Sequence, residues 1–157
     1  MRMRKSKGVR YSNRTLHNSL LDLMGAINSP QSDAKLLQRA GVCLDRGLYP
    51  LLVRIARRPI PVTKLAEQVG RDQSTVSRQL QGLEQLGLIC RALKTGDQRI
   101  RNVEVTGTGR RAVARIAAAR EQLTDEALSG WGVGDRITLA ELMRRLADSV
   151  LASMKRP

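Results

Sequence analysis

One stretch of the chain, from Asp72 to Leu86, carries side chains that could read the edges of nucleic-acid bases. Arranged as a helix, it places Val76, Leu80 and Leu83 at positions i, i+4 and i+7, which form a single apolar stripe. The opposite side carries polar residues without a carboxylate: Ser74, Thr75, Arg78, Gln81 and Gln85. Hydroxyl, amide and guanidinium groups can hydrogen-bond base edges in a major groove, where phosphates would repel a carboxylate. The pattern therefore predicts a helix that enters the major groove of double-stranded DNA.

The residues that lead into this stretch predict a helix-turn-helix. Pro61 stands at the edge of a helix predicted over Val62–Val69, where proline is well tolerated. Gly70-Arg71 then makes a short turn, and Asp72 can cap the helix that follows. Two helices joined by a short turn containing glycine are the signature of this motif.

A basic hairpin is predicted directly after the second helix. Gly87 ends that helix, and two short apolar strands follow over 88–93 and 101–106. Between them lies the basic tight turn Lys94-Thr-Gly-Asp-Gln-Arg. A helix-turn-helix followed by such a hairpin predicts a winged helix-turn-helix.

Composition limits the class of protein. With 157 residues, the chain is long enough for one domain with extensions and can bury a sizeable core. Its net charge of +14 indicates a polyanionic partner, most commonly nucleic acid. Aromatic residues make up only 2%, which argues against base stacking on single strands or RNA. An anionic membrane is the rival partner, but the basic residues do not lie on one amphipathic helix and no apolar run approaches membrane-spanning length.

Two segments outside the predicted winged core have apolar stripes of their own. Ser12 or Asn13 can cap a helix from about Arg14 to Ile27, and Asp135 can cap a last helix. The stripes consist of Leu16, Leu20, Leu23 and Ile27 in the first helix, and of Ile137, Leu142, Leu146 and Val150 in the last. A compact winged helix does not need both, so we expect them to pair with a second copy of the chain.

The predicted fold is mainly α with a small β-wing, and it is organised in four parts. These are a flexible basic arm over 1–13, an N-terminal helical dimerisation segment over 14–46, the winged helix-turn-helix DNA-binding core over 47–106 and C-terminal dimerisation helices over 107–157. Further helices are predicted over Ala34–Arg39 and Leu48–Arg57, and another from near Arg110 to the stop at Gly130-Trp-Gly-Val-Gly.

Several motifs, in the right order, resemble those of the MarR (multiple antibiotic resistance regulator) family. They are Val76-Ser-Arg-Gln-Leu, Leu83-Glu-Gln-Leu-Gly-Leu-Ile-Cys-Arg, Asp97-Gln-Arg and Val103-Glu-Val-Thr-Gly-Thr-Gly-Arg. The close match runs from Leu48 to Gly109, with Val105 where the family usually has leucine. The resemblance implies an obligate homodimer that binds pseudo-palindromic promoter DNA, usually as a repressor, and is often released by a small acidic or phenolic ligand or by oxidation.

The residue pattern and the resemblance together select candidate DNA contacts. Ser77 lies beside the apolar stripe and is expected to bind phosphate, whereas Arg78 has guanine O6 and N7 or a phosphate as alternative targets. Arg99 matches the wing-tip arginine that enters the minor groove in relatives, and Asp97 would hold that arginine and the turn in shape. The complete candidate set is Arg71, Gln73, Ser74, Thr75, Ser77, Arg78, Gln81, Lys94, Asp97, Arg99 and Arg101.

Catalytic and metal-binding functions are not predicted, and no cofactor is expected. Cys43 and Cys90 are too few and too far apart for a disulfide framework or a metal site, and His17 has no predicted partner ligands. Ser32-Asp-Ala-Lys fits an S-x-x-K motif, but the chain is too short for that enzyme fold and lacks its companion motifs. Cys43 is the redox candidate, with a small buried cysteine as the alternative reading.

The leading hypothesis is therefore a cytoplasmic, homodimeric transcriptional regulator of the repressor type, with double-stranded DNA and a second copy as partners. A small-molecule effector is implied by the resemblance alone, and no membrane partner is expected. Two alternatives stay open at this point: an architectural DNA-binding protein with weak sequence specificity, and a thiol-based redox sensor of the same fold.

Overall fold

The computed structural model describes the backbone of residues 2–93 and 101–154, with side chains over 11–91 and 102–154. Its helices are α1 (Arg2–Ile27), α2 (Pro30–Ala40), α3 (Tyr49–Arg57), α4 (Val62–Val69), α5 (Gln73–Gln85), α6 (Gly107–Ala127) and α7 (Val133–Ser153). Its strands are β1 (Ile60–Pro61), β2 (Ile89–Leu93) and β3 (Arg101–Val105). The chain divides after Ala119 into two compact units. No helix in the described ranges is long and apolar enough to cross a membrane.

The core of the first unit lies where α3, α4 and α5 pack against the small sheet. Leu52 of α3, Leu65 of α4 and the predicted stripe of α5, which is Val76, Leu80 and Leu83, are completely buried. Burying one such aliphatic side chain contributes roughly 1.5–3 kcal/mol to folding. The winged helix-turn-helix predicted from the sequence is therefore confirmed.

The sheet has the strand order β1-β3-β2, and both pairings are antiparallel. The hairpin of β2 and β3 pairs Ile89 with Val105 and Leu93 with Arg101, in agreement with the two predicted strands. The sequence pattern missed β1, because it consists of only two residues and one of them is Pro61. Proline has no N–H to donate and is tolerated at the edge of a sheet, which is where β1 lies.

The start of α6 is fixed to the start of β2 by Thr106. Its hydroxyl donates to the carbonyl oxygen of Gly87 at 2.7 Å and accepts from the backbone N–H of Gly109 at 3.0 Å, while its own N–H donates to the carbonyl of Leu88. The predicted start of this helix near Arg110 was wrong, because α6 begins at Gly107 and includes Gly109. Thr106 acts as the cap that the predicted start near Arg110 overlooked.

Arg115 joins α6 to the end of α2. Its guanidinium donates to the carbonyl oxygens of Ala40, at 2.9 Å, and of Gly41. Last-turn carbonyls have no partner within their own helix, so a cation at this position satisfies them and is favoured by the helix dipole. In this way Leu36 and Leu37 of α2 are held in a buried position within the first unit.

Two predicted helix starts near the ends of the chain were wrong. The first helix begins at Arg2 rather than near Arg14, so its backbone is helical through the segment predicted as a flexible arm, and Ser12 and Asn13 lie inside it. The arginines, lysines and methionines of that segment are good helix formers, and charge alone does not prevent a helix. The last helix begins at Val133 with Gly132 as N-cap, so Asp135 lies in its first turn instead of capping it.

Within the second unit, Arg136 of α7 caps the end of α6. Its guanidinium forms an ion pair with Asp125 at 3.0 Å and donates to the carbonyl oxygen of Leu128 at 2.7 Å. An open groove of about 530 Å³ lies at the start of α7, lined by Gly130, Trp131, Asp135, Thr138, Leu139 and Leu142. Unlike the stripes of the winged core, the apolar residues of α7 are not buried in this chain.

We expect Gly109→Ala to destabilise the fold, because a Cβ atom at this position would lie 2.0 Å from the carbonyl oxygen of Leu88. The backbone of α6 or of Leu88, just before β2, would have to shift, which should lower the free energy of unfolding by about 1–3 kcal/mol. Urea denaturation at a fixed protein concentration measures the change.

Gly107→Ala is the matched control in the same helical turn, since the added Cβ would meet nothing closer than the Arg111 guanidinium at 3.8 Å. This variant should change the unfolding free energy by less than about 0.5 kcal/mol. Equal stability of the two variants would show that the close approach of Gly109 to Leu88 does not constrain the fold.

Candidate nucleic-acid interface

The turn between α4 and α5 sets the direction of the second helix. Gly70 adopts a left-handed conformation with φ of 63°, which ends α4 at little cost because glycine has no Cβ. The N–H groups of Gly70 and Arg71 donate to the last free carbonyls of α4, those of Glu67 and Ala66. Asp72 then caps α5 as predicted, and its side chain accepts from the N–H of Thr75.

The side of α5 opposite its buried stripe forms an exposed polar strip. Ser74, Arg78, Gln81 and Gln85 occur at i, i+4, i+7 and i+11, and all four are exposed. We call these four residues the polar strip. The structure thus brings together three of the predicted contacts, Ser74, Arg78 and Gln81, on one face of the helix. The Arg78 side chain makes no hydrogen bond or ion pair with any residue whose side chain the structure describes.

The other predicted residues of α5 lie around this strip. Gln73 is exposed at the first position of the helix, while Thr75 and Ser77 are half-buried on its two flanks. The lateral position of Ser77 is consistent with the distinction drawn from the sequence, in which it contacts phosphate and not a base. The DNA-contacting roles of these three residues stay predictions.

Ser74 and Thr75 both donate to the Asp72 carboxylate. The same oxygen, Oδ1, accepts from the Ser74 hydroxyl at 2.6 Å and from the Thr75 N–H at 2.7 Å. These hydrogen bonds, the Ser74 hydroxyl first and then Thr75, hold the pKa of Asp72 well below its ordinary value. The cap is therefore a charged carboxylate at neutral pH, placed at the positive end of the α5 dipole.

Arg71 is bound to α5 through Gln79, which the sequence analysis did not single out. Its guanidinium donates to Oε1 of Gln79 at 2.9 Å and to the carbonyl oxygen of Gly47 at 3.4 Å. Arg71 remains exposed, but one of its guanidinium nitrogens already donates both of these hydrogen bonds within the protein. Arg71 therefore joins the turn, α5 and the segment before α3.

An ion pair connects α5 with the wing. Nε of Arg91 on β2 lies 3.2 Å from a carboxylate oxygen of Glu84, and both side chains are about one-third exposed or less. An exposed pair of this kind contributes little to stability, typically under about 1 kcal/mol. Its geometric effect is to link the hairpin to the recognition helix. Neither residue was a sequence candidate, although the Leu-Glu and Ile-Cys-Arg segments that contain them carried the resemblance.

The tip of the wing lies outside the described residues. This applies to Lys94, Asp97 and Arg99, so their predicted roles remain as stated from the sequence. Arg101 is described in its backbone, as the first residue of β3 opposite Leu93.

The two cysteines are exposed, so the alternative in which Cys43 is a small buried cysteine is wrong. Cys43 lies in the irregular segment between α2 and α3, where its neighbours Val42 and Leu44 are partly buried against the core. Cys90 lies on β2, where alternate side chains point away from the core. Over the described residues, no group of three or more His, Cys, Asp and Glu side chains could hold a metal ion.

Comparison with known sequences assigns the fold to a class of regulators. The sequence profile of the MarR family matches residues 49–100, which include α3, α4, α5 and β2. YxaD of Bacillus subtilis, called an uncharacterized HTH-type transcriptional regulator, is 30% identical over 104 residues, which cover 66% of this chain and 73% of YxaD. The chain belongs to the MarR family of transcriptional regulators and has its DNA-binding winged helix-turn-helix fold.

Solved structures agree with this assignment. The crystal structure of MarR superimposes with a TM-score of 0.71 and 26% identity, covering 86% of this chain and 92% of MarR. A MarR family regulator from Listeria monocytogenes, solved in complex with a 26mer DNA, has a TM-score of 0.64 and 22% identity, covering 85% of this chain and 89% of its own. At this identity the second comparison supports the fold alone.

The charged cap predicts how stability depends on pH. Because the pKa of Asp72 is lower in the folded chain than in the unfolded chain, its charge stabilises the fold above about pH 4, the ordinary range of an aspartic acid. That contribution is lost as the pH falls toward the folded-state pKa. Asparagine caps helices about as well as aspartate but does not titrate.

We therefore expect wild type to be more stable than Asp72→Asn at pH 7 and the difference to shrink as the pH falls below about 4. Urea denaturation of both proteins from pH 7 to pH 3 measures this difference. Ser74→Ala removes the first of the two hydrogen bonds and should weaken the pH dependence. A difference between wild type and Asp72→Asn that stays constant over this range would contradict the prediction.

Proposed function

We propose that this chain is a homodimeric transcriptional repressor that binds a pseudo-palindromic operator through α5 in the major groove and the wing in the minor groove. The observation that carries the proposal is the polar strip of α5, which is exposed while the opposite stripe is buried. A strip that spans twelve residues, from Ser74 to Gln85, and carries no carboxylate suits a helix that lies along base edges.

The charge of the chain supports a DNA partner. A net charge of +14 gives a strong attraction to phosphates, which supplies affinity but no sequence information. Specificity must come from the polar strip and from the shape of the DNA. The Listeria regulator of the same fold was solved with DNA, which makes duplex DNA the ligand to test first.

We assign the wing contact to Arg99, with Lys94 and Arg101 as neighbouring phosphate contacts and Asp97 as the residue that shapes the turn. This assignment rests on the sequence, in which the basic residues of the tip lie between β2 and β3. Arginine is well suited to a narrow minor groove, where the negative potential is enhanced.

The apolar faces of the end helices support a dimer. On α1, Leu21, Leu23, Met24 and Ile27 are at least half exposed; on α7, so are Val133, Ile137, Leu142 and Leu151. Large contiguous apolar surfaces are rare on monomeric proteins and mark interaction sites. A two-fold axis would also place two copies of α5 about one helical turn of DNA apart, ~34–36 Å.

The dimer can be tested by substitutions that leave each chain folded. Since Ile27 and Ile137 are 60% and 55% exposed in the single chain, Ile27→Glu and Ile137→Glu should disturb the core little but place a charge on the proposed interface. In sedimentation equilibrium we expect wild type at twice 17.4 kDa and both variants shifted toward 17.4 kDa.

Leu86→Glu is the matched control, because Leu86 is 51% exposed but follows α5 rather than lying on an end helix. It should leave the mass at the dimer value. A wild type with a mass of 17.4 kDa at all concentrations would overturn the dimer.

DNA reading can be tested with Arg78→Ala. If Arg78 hydrogen-bonds a base, the substitution should weaken operator binding by about 1–3 kcal/mol and relax the preference at one operator position. Binding is measured by competition of labelled operator against single-base variants at physiological salt. A uniform loss on all sequences would instead assign Arg78 to a phosphate.

The high net charge also favours a second function, that of an architectural protein that binds DNA with little sequence preference. The same competition, with random duplex as competitor, separates the two. A repressor should prefer its operator by at least about 10³-fold, whereas an architectural protein should not.

A further inference from the structure

The hydroxyl of Ser74 has its hydrogen-bonding direction fixed before any DNA arrives. Its single proton is donated to Asp72 Oδ1 at 2.6 Å, within the 2.5–2.7 Å range of charge-assisted O–H···O⁻ bonds. A serine hydroxyl has one donor and two acceptor lone pairs. With the proton committed to a carboxylate, Ser74 retains only acceptor capacity toward an outside partner.

The position of Ser74 on α5 determines which DNA groups its acceptor-only hydroxyl could meet. It is exposed and begins the polar strip of α5, so it would be the strip's first residue to meet a DNA groove. In the major groove, cytosine N4 and adenine N6 are the donors; guanine O6 and N7, thymine O4 and the phosphate oxygens are acceptors. An acceptor-only hydroxyl can hydrogen-bond the amino groups and not the others.

We propose that Ser74 is a specificity-determining residue that accepts from the amino group of a cytosine or an adenine at one operator position, and that Asp72 is the positioning residue that fixes this polarity. The inference rests on the proposed function, because it requires α5 to enter the major groove. It also differs from the reading in which Ser74 is an interchangeable donor or a phosphate contact.

The carboxylate of Asp72 also favours an amino group as the partner of Ser74. Its Oδ1 accepts two hydrogen bonds from within the helix start, from Ser74 and from the Thr75 N–H. The exposed negative charge beside Ser74 would favour a donor-bearing base edge and disfavour a carbonyl oxygen or a phosphate. Breaking the Ser74–Asp72 bond to release the hydroxyl proton would leave a carboxylate next to DNA with one partner fewer.

The experiment is a selection of bound sequences from a random duplex pool with full-length wild type, Ser74→Ala and Asp72→Gly. Wild type should select one orientation of a base pair at one position in each half-site, since every base pair carries one major-groove amino group, on its cytosine or its adenine. Ser74→Ala should lose that preference and keep the others. Asp72→Gly retains a residue that caps helices with only a small loss, but frees the hydroxyl proton. This variant should also accept the inverted base pair at the same position, in which guanine or thymine faces Ser74.

Base analogues give a second readout that does not depend on the Asp72 variant folding. Replacing the selected cytosine by 2-pyrimidinone, or the selected adenine by purine, removes only the amino group. Wild-type binding should fall roughly 2- to 10-fold, as expected for one net hydrogen bond, whereas Ser74→Ala should show no further loss.

The outcomes separate this inference from the function on which it rests. If wild type selects no consensus at all, the proposed operator recognition fails. If a consensus appears but Ser74→Ala leaves it unchanged, or if removing the amino group at the position that depends on Ser74 leaves wild-type binding unchanged, the operator-binding function stands and the acceptor role of Ser74 is overturned.

Discussion

Burial of the apolar stripe of α5 is the constraint on which the rest of the molecule depends. With Val76, Leu80 and Leu83 completely buried, the helix has no freedom to rotate about its axis, because any rotation would expose them. Each such exposure would cost roughly 1.5–3 kcal/mol. The same packing that stabilises the first unit therefore determines which side chains face outward, and the polar strip is a consequence of the core.

The contacts at the two ends of α5 complete this arrangement. At its start, the Asp72 carboxylate accepts hydrogen bonds from Ser74 and Thr75. Arg71 connects the turn to Gln79, which lies eight residues further along the chain. Toward its end, Glu84 pairs with Arg91 of β2. The recognition helix is therefore held by its stripe, its cap and the wing strand together, which suits a surface that must present fixed hydrogen-bonding groups.

The end helices are subject to a different physical requirement. The core of the first unit is closed by α3, α4, α5, the sheet and the start of α6, with Ala112 of α6 inside it. In α7 the described side chains include none that is buried, and much of α1 is exposed as well. In the proposed dimer, a second copy would cover these apolar faces, and this requirement arises from burial and not from helix propensity.

Much of the winged core and of its candidate DNA-binding surface could be predicted from the sequence. The apolar spacings located α3, α4 and α5 to within about a residue, because helices that bury one face must repeat apolar residues at the helical period. They also identified the polar strip, since it is what remains when the stripe is buried. The resemblance carried by the Leu-Glu, Gly-Leu-Ile and Thr-Gly-Thr-Gly-Arg segments was confirmed as family membership.

Only the tertiary structure decided the features that depend on residues far apart or on exact hydrogen-bond partners. The strand β1 exists because β3 is available to pair with Ile60, and Gly109 belongs inside α6 because Leu88 lies against it. Likewise, the Ser74 hydroxyl can act only as an acceptor toward an outside partner, because it already donates its proton in a hydrogen bond to Asp72. The spacing of apolar residues indicates which face of a helix or strand is buried, but it does not indicate which distant residue packs against that face.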